Sequence, residues 1–424
     1  MGRLLALIAR GAGRLSGFAV SVVLLAVASL FLMPATIGAA GLHVWSSIVL
    51  AQALAQIAAT VIGCGYGVIG PAVVATLPKI QAIGYFRLAQ RTKFAIAVPC
   101  LGLMAVAMFV IPNADPIAGL LGGAPLALNA FSAIFFYIGR AAPIWLLWAE
   151  TAPRVLFMFA GTVSLQIGAP LLLGLALPVL GTVLGIAVSY YSIRNSATAE
   201  DLTDGEPFTS SGVLKEIRSQ LRPAAASILR GGRDALPVLV LTAVAGGLVG
   251  AFGVFDRIQR QALGALTPLT SALQGWVPRR MALEKSARPA LAAMAAAFAG
   301  ASVFMAIFTW IGSPLIRWLS AGTVNPTLGE SFLCSAVIAT SIMIQVLAYV
   351  CLVPLGGISG VIASNLAGIV AVVVALPAAA LIERSIEYAL GAIVLANGLQ
   401  MAVQLYVIYR RISSKRYLQA YALN

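Results

Sequence analysis

Long apolar runs, most of them near twenty residues, are separated along this chain by short breaks rich in Pro, Gly and charge. A run of about 20 apolar residues at a helical rise spans a bilayer, whereas barrel strands would be half as long and alternating. The pattern predicts helices over residues 15–33, 42–62, 94–112, 117–138, 155–175, 176–193, 223–245, 249–271, 289–311, 331–353, 358–381 and 388–409. The breaks are read at Pro34, Pro78, Pro112, Pro178, Pro278, Pro326 and Pro354, with Gly clusters and charges beside them. The expected architecture is an all-α polytopic membrane protein of about 12 transmembrane helices. A polar stretch of mixed charge at residues 195–222 divides it into a six-helix half at 1–194 and a second at 223–424 that carries a terminal tail. The stretch reads as a cytoplasmic linker.

Composition sharpens this. Of 424 residues 61% are hydrophobic and 9% charged, against about 25% charged in ordinary soluble domains. The net charge of +14 would suggest nucleic acid in a soluble protein, but here basic residues follow topology and no nucleic-acid partner is expected. Lys and Arg gather in segments that share one face, Lys93, Arg140 and Arg154 among them, while Arg317 and Arg384 fall on the other. Both termini are therefore expected in the cytoplasm. The residues 15–33 are too long for a secretion-signal core and read as an uncleaved first span. Cys64, Cys100, Cys334 and Cys351 lie in apolar segments without metal-ligand spacing and read as packing residues. His43, beside Trp45, reads as an interfacial residue. Neither a metal nor a cofactor is expected, and no phosphate-cradling loop is present to bind ATP.

Two neighbouring spans carry charge where lipid should lie. Arg230, Arg233 and Asp234 are spaced i, i+3, i+4, and Asp256, Arg257 and Arg260 are spaced i, i+1, i+4, so each set shares roughly one helical face. A charge at the bilayer centre costs about 3 kcal/mol on insertion scales and persists mainly where it faces protein or a wet cavity. Four Arg against two Asp suit an anion, because guanidinium forks match phosphate oxygens bidentately. The alternative is a set of structural ion pairs. Polar stripes run along other spans: Gln52, Gln56 and Thr60; Asn129 and Ser132 toward Arg140; Ser341, Gln345 and Tyr349; and Asn397, Gln400 and Gln404. Each alone is commonly helix–helix glue; together they suggest a wet central passage.

The stretch Val249-Gly250-Ala251-Phe252-Gly253-Val254-Phe255-Asp256-Arg257-Ile258, continuing through Leu266-Thr267-Pro268-Leu269 to Pro278, resembles the eighth span of bacterial polysaccharide (O-antigen) flippases. Phe31-Leu32-Met33-Pro34, with Gly41 and Gly63-Cys64-Gly65-Tyr66-Gly67, is similar to their first two spans. Residues Pro354 to Ala363 look like their eleventh. These proteins belong to the multidrug/oligosaccharidyl-lipid/polysaccharide (MOP) exporter superfamily. The resemblance implies two six-helix bundles around a central cationic cavity in a bacterial inner membrane. It also implies passage of an undecaprenyl-diphosphate-linked oligosaccharide to the outer leaflet by alternating access, alongside polysaccharide polymerase or ligase machinery. Arg230, Arg233, Arg257 and Arg260 would then hold the diphosphate. Asp234 and Asp256 would orient them or couple an ion, and Gln52, Gln56, Asn129, Arg140, Gln345, Asn397 and Gln404 would line the path. Two departures stand out: Ala40-Gly41 replaces the family's aromatic-Gly pair, and Ala251-Phe252-Gly253 replaces its small-Tyr-Ser. A cation-coupled multidrug exporter ranks second, since no Asp or Glu is expected within the membrane in spans one to six. A polyprenyl-dependent glycosyltransferase or polymerase ranks third, with only Asp115, Glu330, Glu383 and Glu387 on the outer face to serve it.

Overall fold

A computed structural model describes residues 2–196, 210–284, 286–355 and 357–414, which are helical apart from short turns. The loop part of the predicted linker, 197–209, and the last ten residues lie outside the described residues. The helices are α1 (Gly2–Gly63), α2 (Tyr66–Thr76), α3 (Lys79–Val110), α4 (Pro116–Leu128), α5 (Ile134–Gly139), α6 (Pro143–Leu146), α7 (Ala152–Gln166), α8 (Leu171–Asn195), α9 (Ser210–Ala245), α10 (Val249–Glu284), α11 (Arg288–Leu319), α12 (Leu328–Gln345), α13 (Ile358–Ile382) and α14 (Ile386–Ser413). A π-helical turn, Leu147–Thr151, joins α6 to α7, and another, Val346–Leu352, extends α12. Among the described residues nine helices are long and apolar enough to cross a membrane. Exposed side chains such as Val98, Leu103, Trp310 and Leu381 give these helices the apolar exterior that lipid requires. The protein is an all-α polytopic membrane protein.

Several breaks fall elsewhere than the proline positions suggest. Pro34 lies inside α1, whose interruption comes at Gly41 instead, with φ 75° and ψ 171°. That backbone region is essentially closed to side-chain-bearing residues, so Gly41 divides the first two predicted spans. The fifth and sixth spans part at residues 167–170 rather than at 175–176. There Gly168 takes φ 82°, and the amides of Gly168 and Ala169 return to the carbonyls of Leu165 and Ser164, a left-handed helix end of the kind glycine favours. Pro178 sits within α8, and α10 continues past Pro278 to Glu284.

The chain forms two compact units, Met1–Ala235 and Leu236–Asn424. In the first, α4 packs on α1 and α8 on α7, and glycines four apart set both contacts. A Cβ on Gly119 or Gly123 would come within 3.0 and 2.9 Å of the Ser47 and Ala51 carbonyl oxygens. On Gly181 or Gly185 it would come within 3.0 and 2.9 Å of those of Pro153 and Glu150. Helices in lipid associate by such close backbone approach, because apolar side chains gain little over the lipid they replace. In the second unit α13 packs on α14, and α12 on both α11 and α14. Thr327 and Glu330 begin α12 with reciprocal side-chain-to-backbone bonds of 3.0 and 2.9 Å, and Asp115 accepts from the Ala118 amide at 3.0 Å to begin α4. Two of the four carboxylates expected on the outer face are thus occupied as helix caps.

Candidate functional site

In the first unit a polar centre forms around a broken helix. The predicted span 117–138 is interrupted after α4 by a 3-10 turn, Asn129–Phe131, before α5 resumes. A break in a membrane-spanning helix frees backbone groups that lipid cannot satisfy, so protein must. The buried Gln90 of α3 donates to the Phe131 carbonyl at 2.9 Å. Glu150, in the π-helical turn, accepts from the Ala133 amide at 3.1 Å. Arg154 donates to Asn129 Oδ1 at 2.7 Å and pairs with Glu150 at 2.5 Å. Glu150 and Arg154 are 2% and 7% exposed. Lys93 is buried as well, its Nζ 4.8 Å from the Phe135 ring centre and 5.9 Å from that of Tyr66, and it interacts electrostatically with Glu150.

This centre corrects one expectation and adds a residue. Lys93 and Arg154 are buried residues of α3 and α7 rather than members of loops, and Glu150, which lies outside the predicted spans, is a buried carboxylate. The sequence signal was the i, i+4 spacing of Glu150 and Arg154, hidden because Pro153 reads as a helix breaker. Proline is tolerated in the first turn of a helix, and Pro153 occupies that place in α7.

The α9 set, Arg230, Arg233 and Asp234, belongs to the first unit. Between its arginines Gly231 is packed so closely on α1 that a Cβ there would overlap the Thr60 hydroxyl. Thr60 in turn donates to the Gln56 carbonyl at 2.7 Å. The structure therefore lays the Arg230–Arg233 segment along the predicted Gln56/Thr60 stripe. Gln52, one turn further on, donates to the Gly122 carbonyl at 3.2 Å and so ties α1 to α4. Asn129 is occupied by Arg154, and the exposed Arg140 donates to the Leu77 carbonyl at 3.4 Å.

The α10 set belongs to the second unit. Asp256 and Arg260 pair at 2.7 Å along one helix face, and the next residue back, Gln259, donates to Ser341 of α12 at 3.0 Å. From α14, Asn397 donates to Thr340 and Ser341 at 2.9 and 3.3 Å, Gln400 to Asn365 at 2.8 Å, and Gln404 to Ser364 at 3.2 Å. Asn397 and Gln404 are 4% and 0% exposed. The structure thus seats both in interhelical contacts inside the unit, while Gln345 is half-buried on α12.

No protein-family model matches the sequence, and no match was found among curated proteins. Solved structures do match along nearly the whole chain. An inward-facing multidrug-resistance MATE family transporter of the MOP superfamily shares 17% identity over 94% of both chains, with a TM-score of 0.53. A eukaryotic MATE transporter, AtDTX14, shares 13% identity over 97% of this chain and 98% of its own, with a TM-score of 0.57. The fold is similar to that of these transporters. A third MOP-superfamily structure, from Pyrococcus furiosus, matches at 15% identity over 95% of this chain and 96% of its own, with a TM-score of 0.54.

Proposed function

We propose that this protein is a MOP-type transporter that moves a lipid-linked oligosaccharide diphosphate from the cytoplasmic to the outer leaflet by alternating access. The observation that carries this reading is the sign of the charge inside the spans. Arg230 and Arg233 outnumber Asp234 on α9, Arg257 and Arg260 outnumber Asp256 on α10, and Lys93 and Arg154 outnumber Glu150 in the first unit. Each set carries one surplus positive charge, and an excess at membrane depth favours an anionic passenger. The four arginines would hold the diphosphate. Asp256, paired with Arg260, would fix the orientation of that guanidinium. The MOP fold accepts pockets of more than one character, since the Pyrococcus furiosus transporter has a binding pocket whose reversed polarity suggests a different function. On this reading the chain sits in a bacterial inner membrane with both termini cytoplasmic and works with polysaccharide polymerase or ligase machinery.

The second reading is a cation-coupled multidrug exporter, favoured by the buried Glu150 and by the MATE transporters among the similar structures. Glu150 is engaged by Arg154 and the Ala133 amide, which leaves it poorly placed to hold a drug cation. Leaflet translocation of a fluorescent undecaprenyl-diphosphate oligosaccharide, measured in liposomes holding the purified protein, separates the two. The wild type is expected to flip the lipid, and Arg233→Ala/Arg260→Ala, matched for folding, to lose that activity. Export of cationic dyes without lipid flipping would replace this reading with the second.

A further inference from the structure

At one end of the first unit, where α3 begins and α5 and α8 end, lies a cavity of about 470 Å³ bordered by Lys79, Arg140, Tyr137, Trp145, Ser192 and Asn195. Both cations are exposed. Among the described residues, the Arg140 guanidinium makes one hydrogen bond, to the Leu77 carbonyl, out of the five N–H groups it carries. The Tyr137 side chain is 3% exposed. Its hydroxyl lies near Ser189 and Ser192 yet makes no hydrogen bond of acceptable geometry. Among the described residues no carboxylate borders the cavity, and Lys79 and Arg140 give it positive charge.

Exposed aromatic residues occur at this cavity and near it in the chain. Trp145 borders it, and Trp148 and Tyr191 are also largely exposed nearby in sequence on the π-helical turn and α8. Tryptophan and tyrosine concentrate at headgroup depth. We infer that this cavity binds the phosphate of an anionic phospholipid headgroup, with Lys79 and Arg140 neutralising the phosphate. Phosphate chemistry could equally arrive as a free ion, and the cavity is separate from the interior arginines, so the inference does not rest on the transport reading.

The test is native mass spectrometry of the full-length protein released from vesicles of phosphatidylcholine doped with phosphatidylglycerol. The wild type is expected to retain one phosphatidylglycerol in preference to phosphatidylcholine. Lys79→Gln/Arg140→Gln should retain it about tenfold less, as befits the loss of two charge-assisted contacts. Tyr137→Phe, which keeps the ring and removes only the enclosed hydroxyl, should leave retention unchanged. Both substituted cations are exposed, and an unchanged lipid-free melting temperature confirms folding. Displacement of the lipid by millimolar inorganic phosphate would assign the same site to a free phosphate ion. Resistance to phosphate would assign it to the headgroup. Equal retention of the two lipids, or phosphatidylglycerol retention unchanged in Lys79→Gln/Arg140→Gln, would overturn the site.

Discussion

Replacing Glu150 with Gln puts the polar centre of the first unit to a quantitative test. The carboxylate is buried, pairs with Arg154 at 2.5 Å, and accepts from the Ala133 amide at 3.1 Å. Removing one partner from a buried pair costs about 3–5 kcal/mol, because the other charge is left uncompensated. The Gln carboxamide can still accept from Ala133, which preserves about 1 kcal/mol, so Glu150→Gln is expected to cost about 3 kcal/mol. Arg154→Gln should cost less, about 2 kcal/mol, because Lys93 remains to balance the carboxylate. In the double variant neither charge is stranded, and its cost should fall below the sum of the singles by at least about 2 kcal/mol. Helix loss followed by circular dichroism, as the dodecyl sulfate fraction in mixed micelles rises, measures all four proteins. Single variants that each cost under about 0.5 kcal/mol and simply add would show that the pair is not held in a dry interior.

Two further perturbations probe the frame. Gly41→Ala forces a side chain into a backbone region that only glycine occupies comfortably and should destabilise by about 1–3 kcal/mol in the same micelle titration; no change would mean that α1 is not broken there. Asn397→Leu removes donors to Thr340 and Ser341 and should cost about 1 kcal/mol of stability while leaving lipid flipping intact. Flipping lost at unchanged stability would place Asn397 on the substrate path instead.

The all-helical class and the order of the apolar segments were legible because each apolar run had to match a bilayer thickness, although nine rather than twelve helices among the described residues are long and apolar enough to cross one. Their ends were less so. Pro34, Pro178 and Pro278 look like breaks, yet each lies inside a helix, because neighbouring helices can compensate for a missing backbone donor. Gly41 and Gly168 mark two of the true breaks, through backbone angles that no hydropathy pattern records. The polar centre was hidden for a related reason. Lys93, Glu150 and Arg154 stand at the margins of apolar runs, where charge normally marks a loop. Their burial depends on a break in another helix, at residues 129–133, whose freed backbone groups needed partners. The arginines of α9 and α10 were plain from the start, since each falls within a predicted span. Their pairing was not: Asp256 bonds Arg260 one turn along its own helix.

The π-helical turn at Leu147–Thr151 accommodates one more residue than an α-helical turn over the same rise. Residues of an α-helix follow one another at about 100°, so deleting Ala149 would restore α geometry and rotate everything preceding it by that angle relative to α7. Ala149 directly precedes Glu150. The register of Trp145 and Trp148 against the interior ion pair is therefore an arithmetic property of the chain, fixed by a single inserted residue rather than by any one side chain's chemistry.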